Sequence, residues 1–457
     1  MASESESQVK RGDFSVTLDS DPVDSMATEL QGLTAEGQPE GLIDTKEQVQ
    51  IKLADQQADP NSPLYSAKSF ENLGLEPELL KGIYDMNFSK PSKIQERALP
   101  LLLADPPKNM IGQSQSGTGK TAAFVLTMLS RVDASVEAPQ ALCIAPSREL
   151  VRQILDVMQQ MGKYTQIKVS AAIKDEGPPR GQKITSQIVV GTPGTVTELI
   201  RRNQLNMRQL KLLVLDEADN MLDQQGLGDQ SIRIKNMAPK TCQIVLFSAT
   251  FAESVRKFAA RFAPNANEIS LKVSELSVDA IKQVYMDCKD ESHKLQVLEE
   301  LYSVLTVSQS IIFVRKRITA DKIAKMMTSS GHKVVALHGQ LDPQTRDQVM
   351  DGFRNGLIKV LVTTNVLARG IDISQINVVI NYDIPVDGNG RPDAETYLHR
   401  IGRTGRFGRT GVAINFVHDA NSFRELKAIQ DYFGREIIKV ETSDEEKMEK
   451  ALKKLLQ

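Results

Sequence analysis

The stretch Ser114-Gln115-Ser116-Gly117-Thr118-Gly119-Lys120-Thr121 decides how this chain folds. It follows the short apolar run 109–112 and leads into the apolar run 122–129, an order that predicts a strand, a glycine-rich turn and a helix. Its glycines let backbone N–H groups close around a polyphosphate at the N-terminus of that helix. Lys120 then reaches the β- and γ-phosphates, and the Thr121 hydroxyl is available to a bridging magnesium ion. Ser114 stands where the strict pattern has glycine, so a flexible turn that binds nothing is the alternative for this segment alone.

A second element is acidic. Residues 211–215 read as a buried parallel strand and run directly into Asp216-Glu217-Ala218-Asp219. The carboxyl end of such a strand is where open α/β sheets bind ligands. Asp216 would hold magnesium, mostly through water, and Glu217 would orient and deprotonate an attacking water. A solvated acidic surface is the alternative, but the two elements together favour a nucleoside triphosphatase.

Length and composition limit the class of protein. A chain of 457 residues is too long for one core and predicts two or three domains. An apolar content of 40% and a charged content of 25% are ordinary for a soluble globular protein. The three cysteines are far apart, which supports neither a disulfide framework nor a zinc site and indicates a reducing compartment. Without an apolar run of about 18 residues or an apolar N-terminus, we expect no membrane span and no secretory signal.

The net charge of −2 conceals an asymmetry. Residues 1–60 carry 13 acidic and 4 basic side chains, so the remainder of the chain has a surplus of 7 positive charges. A basic body suits a protein that handles a polyanion, although a surplus of this size is also common on an ordinary soluble surface.

The pattern of elements predicts four segments. Residues 1–67 form an acidic, mostly disordered extension with a short amphipathic helix over Leu42–Gln57, which Asp44 can cap. Residues 68–270 alternate between strands and helices, which predicts a doubly wound parallel sheet. Residues 271–282 lack periodicity and read as a linker. Residues 283–457 repeat the alternation without a glycine-rich phosphate loop.

A basic segment gives the second domain a role. In His399-Arg-Ile-Gly-Arg-Thr-Gly-Arg-Phe-Gly-Arg409, Arg403 and Arg406 lie about one turn apart between glycines. If the domains close, these guanidiniums can meet the γ-phosphate held by the first domain and stabilise transition-state charge. A nuclear localisation signal or a polyanion patch is the alternative. Upstream, Asp372 follows a buried strand and Gly370, a position from which its carboxylate could accept from a ribose hydroxyl, or simply cap a helix.

These motifs occur in the order of one family. They are Phe88-x-x-Pro91-x-x-Ile94-Gln95, Ser116-Gly-Thr-Gly-Lys-Thr121, Pro146-Ser-Arg-Glu-Leu150, Thr192-Pro-Gly194, Asp216-Glu-Ala-Asp219, Ser248-Ala-Thr250, Ala368-Arg-Gly-Ile-Asp372 and His399-Arg-Ile-Gly-Arg-Thr-Gly-Arg406. Over about residues 68–440 the chain resembles the DEAD-box RNA helicases. Residues 59–70, together with Ser114-Gln115-Ser116, look like the branch of that family that acts in mRNA export at the nuclear pore.

The resemblance implies two tandem RecA-like domains, ATP and Mg²⁺ as cofactors, and a role for each matching residue. Gln95 would read the adenine edge with Phe88 and Phe70 packing nearby; residues 114–121 would hold the phosphates; and Gly370 and Asp372 would contact the ribose. Ser248, Thr250 and Asp219 would couple the domains, and Arg403 and Arg406 would be arginine fingers. RNA would be contacted by Arg148, Thr192, Gly194 and Thr364. Since the chain has no tryptophan and 5% aromatic residues, we expect sugar and phosphate contacts with little sequence preference.

Three departures from the family pattern fall on the RNA side. Thr195 stands where the family usually has arginine, a usual glycine pair is missing near Ile173 and Lys174, and Pro343 replaces a usual glutamine upstream of Arg346. The chain therefore differs from the family pattern at positions expected to face RNA and not at those expected to bind ATP.

The sequence-based hypothesis is an RNA-dependent ATPase that closes on single-stranded RNA and remodels RNA–protein complexes. An ATP-locked RNA clamp with little turnover is the rival, and a DNA helicase is a weaker one. By resemblance, the partners are mRNA–protein particles, a nucleoporin at the cytoplasmic face of the pore and an activator that works with inositol hexakisphosphate, and the protein is a monomer of cytoplasm and nucleus. The helix over Leu42–Gln57 would either restrain closure or pack on the first domain.

Overall fold

Two α/β sheets, one after the other along the chain, organise this protein. The computed structural model describes residues 49–53, 66–114, 117–223, 226–271, 281–304, 308–365, 376–405, 411–442, 446–448 and 450–451. All of them belong to one unit, Glu40–Gln457. We call the described residues 49–271 lobe 1 and the described residues 281–451 lobe 2.

Lobe 1 is built on an eight-stranded sheet. Its strands are β1 (Val49–Lys52), β2 (Met110–Gln113), β3 (Ala141–Ile144), β4 (Val169–Ala172), β5 (Ile188–Gly191), β6 (Leu212–Leu215), β7 (Gln243–Ser248) and β8 (Asn267–Leu271). Their order in the sheet is β1-β8-β2-β7-β6-β3-β5-β4. The pairs are parallel except for β1 with β8, which is antiparallel.

Helices connect these strands across both faces of the sheet. They are α1 (Pro77–Asp85), α2 (Lys93–Leu103), α3 (Lys120–Arg131), α4 (Arg148–Met161), α5 (Pro193–Arg201), α6 (Ala218–Asp223), α7 (Leu227–Met237) and α8 (Glu253–Phe262). Strand β6 shows why the sheet is parallel. Leu212 and Val214 enter one hydrophobic cluster while Leu213 and Leu215 enter another, so a continuous apolar run is buried on both faces.

Lobe 2 repeats the architecture with seven parallel strands in the order β11-β12-β10-β13-β14-β9-β15. The strands are β9 (Ile281–Asp287), β10 (Gln309–Phe313), β11 (Val334–Leu337), β12 (Val360–Thr363), β13 (Ile376–Asn381), β14 (Gly411–Val417) and β15 (Ile438–Val440). The helices are α9 (Glu291–Val304), α10 (Arg317–Ser329), α11 (Pro343–Arg354), α12 (Ala394–Ile401) and α13 (Ala420–Phe433). The predicted fold class, two doubly wound parallel-sheet domains in tandem, is confirmed. Among the described helices, none is long and apolar enough to cross a bilayer.

The predicted helix over Leu42–Gln57 is wrong where the structure describes it. Residues 49–52 form β1, with Ile51 opposite Ile269 and Lys52 opposite Glu268 at the edge of the sheet. The sequence Val-Gln-Ile-Lys alternates between apolar and polar residues, which is the period of a strand. The spacing of Leu42, Val49 and Leu53 fits a helix at the same time, so the segment carries both patterns. Backbone pairing with β8 outweighs the local helical pattern, and the rest of that segment and residues 1–48 lie outside the described residues.

We expect Leu53→Ala to lower the free energy of unfolding by roughly 2–4 kcal/mol, because Leu53, just after β1, is buried in the lobe 1 core. Lys52→Ala is the matched control. Its exposed ion pair with Glu268, at 3.7 Å, is expected to contribute less than about 1 kcal/mol. Urea unfolding of the two variants measures both effects, and equal losses would contradict this placement of the strand.

Candidate active site

The glycine-rich turn joins β2 to α3, as predicted. Gly117 has φ 85° and Gly119 has φ 100°, left-handed conformations that favour glycine. A Cβ on Gly119 would also lie 2.6 Å from Nε2 of Gln95. The turn therefore needs glycine at 119 for two separate reasons, its backbone conformation and its close approach to α2.

Lys120 begins α3 and points back into the turn. Its side chain is buried, and Nζ donates to the backbone carbonyl of Ser114. Burial lowers the pKa of Lys120, while the carboxylates of Asp216 and Asp219 oppose that shift. An anion such as a terminal phosphate would stabilise this buried ammonium further.

Strand β6 delivers Asp216 and Glu217 beside Lys120. Burial, together with the neighbouring Glu217 charge, raises the pKa of Asp216 to about 7 even though Lys120 opposes the shift. Glu217 has φ 53°, and its Oε2 accepts from Nδ2 of Asn220 at 3.2 Å. A non-glycine residue in this conformation is held there by its surroundings, so the Glu217 carboxylate has a defined direction. The buried Asp216 carboxylate and the Thr121 hydroxyl are hard oxygen donors of the kind that Mg²⁺ prefers.

Asp219 links the site to β7. Its Oδ2 accepts from the backbone N–H of Thr250 at 3.1 Å and from the Thr250 hydroxyl at 2.9 Å, while its own N–H donates to Oγ of Ser248 at 3.2 Å. The backbone N–H of Ser114 donates to the carbonyl of Ser248 at 3.0 Å. The glycine-rich turn, the acidic segment and the end of β7 thus form one hydrogen-bonded unit.

Lobe 2 reaches this unit through helix α12. Nε2 of His399 lies 3.2 Å from Oδ2 of Asp219, and Oε2 of Glu395 accepts from the Thr250 hydroxyl at 3.0 Å. A hydroxyl has one hydrogen, so Thr250 can donate to Asp219 or to Glu395 but not to both at once. Asp219 and Thr250, which were predicted to couple the domains, therefore lie where the two lobes touch.

Arg403 follows α12 on the same side. It is 1% exposed, its Nε donates to the carbonyl of His399 at 3.0 Å, and its positive charge contributes to lowering the pKa of Lys120. The Arg403 guanidinium is thus close enough to act electrostatically on Lys120, and its role as an arginine finger stays a prediction. The predicted residues Gln115, Ser116, Gly370, Asp372 and Arg406 lie outside the described residues.

Gln95 lies against the turn. Its Nε2 donates to the carbonyl of Gly119 at 3.0 Å, and its Oε1 accepts from the backbone N–H of Ser92 at 3.0 Å. Gln95 is 2% exposed, whereas Phe88 is partly buried against the lobe 1 core and Phe70 is inside it. Gln95 therefore positions the phosphate loop, and any adenine contact it makes comes in addition to that.

The four predicted RNA contacts are spread over both lobes. Thr192 precedes α5, and Gly194 lies within it on the surface. Thr364 follows β12 beside a cavity of about 160 Å³ that is also lined by Arg315 and Arg400. Arg148 begins α4 and pairs with Asp347 of lobe 2 at 2.9 Å.

Sequence reasoning missed several residues that organise the site. Asn220 orients Glu217, Glu395 meets Thr250, and the buried Arg400 donates to Oδ1 of Asn365 at 3.1 Å. Asn220 and Glu395 carried a signal, since each lies within four residues of a quoted motif. The partner of Glu395 is 145 positions away and could be identified only from the fold, whereas Asn220 lies three residues after Glu217.

Lobe 1 contains a glycine-rich loop of the kind that binds a triphosphate, and an arginine of lobe 2 lies near it. With a parallel sheet in each lobe, these features define a two-lobed nucleoside triphosphatase. The sequence model described as DEAD/DEAH box helicase matches residues 92–258, and the helicase conserved C-terminal domain matches residues 293–408. The chain belongs to the DEAD/DEAH box helicase family and is an enzyme of that family.

Its similarity to particular members extends over most of its length. It is 64% identical to the ATP-dependent RNA helicase dbp5 of Schizosaccharomyces pombe over 94% of this chain and 86% of that protein. It is 57% identical to the ATP-dependent RNA helicase DBP5 of Saccharomyces cerevisiae over 95% of this chain and 90% of that protein. The solved structure of S. cerevisiae Dbp5 bound to RNA and ADP BeF3 matches with a TM-score of 0.82 and 59% identity, covering 86% of this chain and all of that one. The resemblance stated from the motifs is confirmed.

We expect Glu395→Ala to slow ATP hydrolysis on the order of tenfold, because a hydrogen bond to a charged group between the lobes is lost. Glu395→Gln keeps an acceptor and should lose less. In a double-mutant cycle with Thr250→Val, the double variant should be no slower than the slower single variant. Steady-state phosphate release measures all five proteins, and fully additive losses in the double-mutant cycle would contradict the contact.

Proposed function

We propose that this protein is an RNA-stimulated ATPase that closes its two lobes on single-stranded RNA and remodels RNA–protein complexes. The observation that carries the proposal is the meeting of Asp219 and Thr250 of lobe 1 with His399 and Glu395 of lobe 2, beside the buried Lys120 and Arg403. A single-stranded RNA that contacts both lobes would favour this closed arrangement. ATP hydrolysis would then allow the lobes to open and release the RNA.

Each part of the site has a role in this proposal. Backbone N–H groups of the glycine-rich turn and Lys120 would hold the phosphates, while Thr121 and Asp216 would hold Mg²⁺. Mg²⁺ supplies positive charge at the phosphate oxygens when it is bound. Glu217, oriented by Asn220, takes a proton from the attacking water, and Arg403 stabilises charge on the transferring group. ATP specificity would come from Gln95 and Phe88, with the ribose held by Gly370 and Asp372.

The specificity for RNA is proposed from the chemistry of the expected contact residues and from the solved structure of a relative with RNA. The proposed contacts Arg148, Thr192, Gly194 and Thr364 offer a guanidinium, hydroxyls and backbone to sugars and phosphates rather than stacking surfaces. The structure of S. cerevisiae Dbp5 bound to RNA and ADP BeF3 supports RNA as the polyanion. The protein should therefore be stimulated by RNA of many sequences and much less by DNA.

The proposed setting is mRNA export through the nuclear pore. It is supported by solved structures of a single-residue variant of S. cerevisiae Dbp5, one bound to a gle1 variant and ip6, and another bound to nup159, the gle1 variant, ip6 and ADP. By similarity, this chain would bind a nucleoporin at the cytoplasmic face and an activator that carries inositol hexakisphosphate, and would act as a monomer in cytoplasm and nucleus.

An ATP-locked RNA clamp is the second candidate. It is favoured by the number of ion pairs and hydrogen bonds already formed between the lobes. A clamp predicts long-lived RNA binding with ATP and a turnover of a few per minute or less even at saturating RNA.

We expect Glu217→Gln to reduce RNA-stimulated phosphate release by roughly 10²-fold or more while ATP and RNA still bind. The variant loses the carboxylate that acts as general base, but the glutamine side chain keeps nearly the same shape. Glu253→Gln is the matched control, since that carboxylate is 74% exposed and pairs only with Lys257 of its own helix among the described residues. Wild-type release by the Glu217 variant would refute the assignment. Slow release by wild-type protein at saturating RNA would favour the clamp.

A further inference from the structure

The lobes also meet along two helices, α4 of lobe 1 and α11 of lobe 2, through four ion pairs. These are Arg148–Asp347 at 2.9 Å, Arg152–Asp347 at 2.9 Å, Glu149–Arg346 at 2.5 Å and Asp156–Arg354 at 3.7 Å. The pairs progress in the same direction along both helices, so the helices run parallel. Their N-terminal ends carry the more buried pairs, while the last pair is exposed on the Asp156 side.

Asp347 is the residue on which two lobe 1 arginines converge. Nε of Arg148 donates to both of its oxygens, at 3.2 and 3.3 Å, and Nη2 donates to Oδ2 at 2.9 Å. The Arg148 and Asp347 side chains are 13% and 14% exposed. A bidentate ion pair with so little solvent exposure fixes the plane of the guanidinium far better than a single exposed ion pair does.

The remaining contacts of Arg148 come from lobe 1. Nη1 donates to the carbonyl of Lys174 at 2.5 Å, and Nη2 also donates to Oε1 of Glu176. Within the part of the chain that the structure describes, four of the five N–H groups of the guanidinium thus donate to these acceptors. The fifth, on Nη1, is the donor that a phosphate oxygen can take.

We propose that Asp347 is a positioning residue for RNA: from lobe 2 it aims the guanidinium of Arg148 so that its remaining N–H meets the RNA backbone. This inference rests on the proposed function, in which Arg148 contacts RNA. Because Asp347 belongs to the other lobe, Arg148 is aimed only when the lobes are together, which ties RNA affinity to closure. Without Asp347, Glu176 and the carbonyl of Lys174 would draw the guanidinium toward lobe 1.

The alternative, that Asp347 is merely a negative charge near RNA, predicts an effect of opposite sign. Removing a carboxylate from the path of a polyanion should tighten binding. Removing a residue that aims Arg148 should weaken it. The direction of the change therefore separates the two roles.

The test is Asp347→Asn, assayed by the RNA concentration that gives half-maximal ATPase stimulation and by kcat at saturating RNA. We expect that concentration to rise roughly tenfold, with kcat within about twofold of wild type. Asp347→Glu restores the charge and should recover part of the affinity. It also keeps the test decisive if Asp347→Asn lowers the thermal stability.

Asp351→Asn is the matched control. Asp351 lies one turn further along α11, its side chain is 61% exposed, and its carboxylate pairs with Arg354 of the same helix at 3.8 Å. The charge change is the same, but no ion pair from Asp351 to lobe 1 is among those described. We expect unchanged RNA dependence.

A double variant decides whether Asp347 acts through Arg148. With Arg148→Ala as background, Asp347→Asn should cause no further loss. Tighter RNA binding by Asp347→Asn, the same dependence as Asp351→Asn, or a further full loss in the double variant would each overturn the proposal. If wild-type protein shows no stimulation by RNA at all, the proposed function itself fails, which is a distinguishable result.

Discussion

The hydrogen bonds to one buried carboxylate oxygen hold the candidate site together. Oδ2 of Asp219 accepts from the backbone and the side chain of Thr250 in lobe 1 and lies 3.2 Å from Nε2 of His399 in lobe 2. Asp219 is 1% exposed, and a buried carboxylate without such donors would be strongly destabilising. The acidic segment and the end of β7 therefore have to come together for this charge to be satisfied, and His399 of lobe 2 is a further partner when the lobes are closed.

The chemistry of the boundary between the lobes differs from that of the lobes themselves. Each sheet buries apolar residues on both faces, which makes the individual lobes stable units. The contacts described between them are hydrogen bonds and ion pairs, such as Thr250–Glu395 and Glu149–Arg346. Polar contacts exchange readily with water, so a polar boundary allows opening and closing at modest cost.

Much of the fold could be predicted because parallel strands buried on both faces are continuous apolar runs. The strand predicted at residues 211–215 lies within one residue of its observed bounds, Leu212–Leu215. The edge strands β1, β4 and β15 were missed, as was β8, which lies next to β1, and β1 was predicted as part of a helix. An edge strand has weaker apolar character, and its conformation depends on the neighbour with which it pairs. For the site, glycine spacing indicated the turn at 117–119, but no role was predicted for Asn220, although it lies three residues after Glu217.

The sequence by itself determined the two-domain α/β architecture, the phosphate-type turn, the acidic strand end and the family. Each of these depends on residues that are close together in the chain, where spacing and hydrophobic period carry the information. The tertiary structure alone decided which lobe 2 groups reach the site: Glu395 at Thr250, His399 at Asp219 and Asp347 at Arg148. These partners are separated by between 145 and 199 positions, and a pairing over such a distance arises from the packing of whole lobes, which no local pattern encodes.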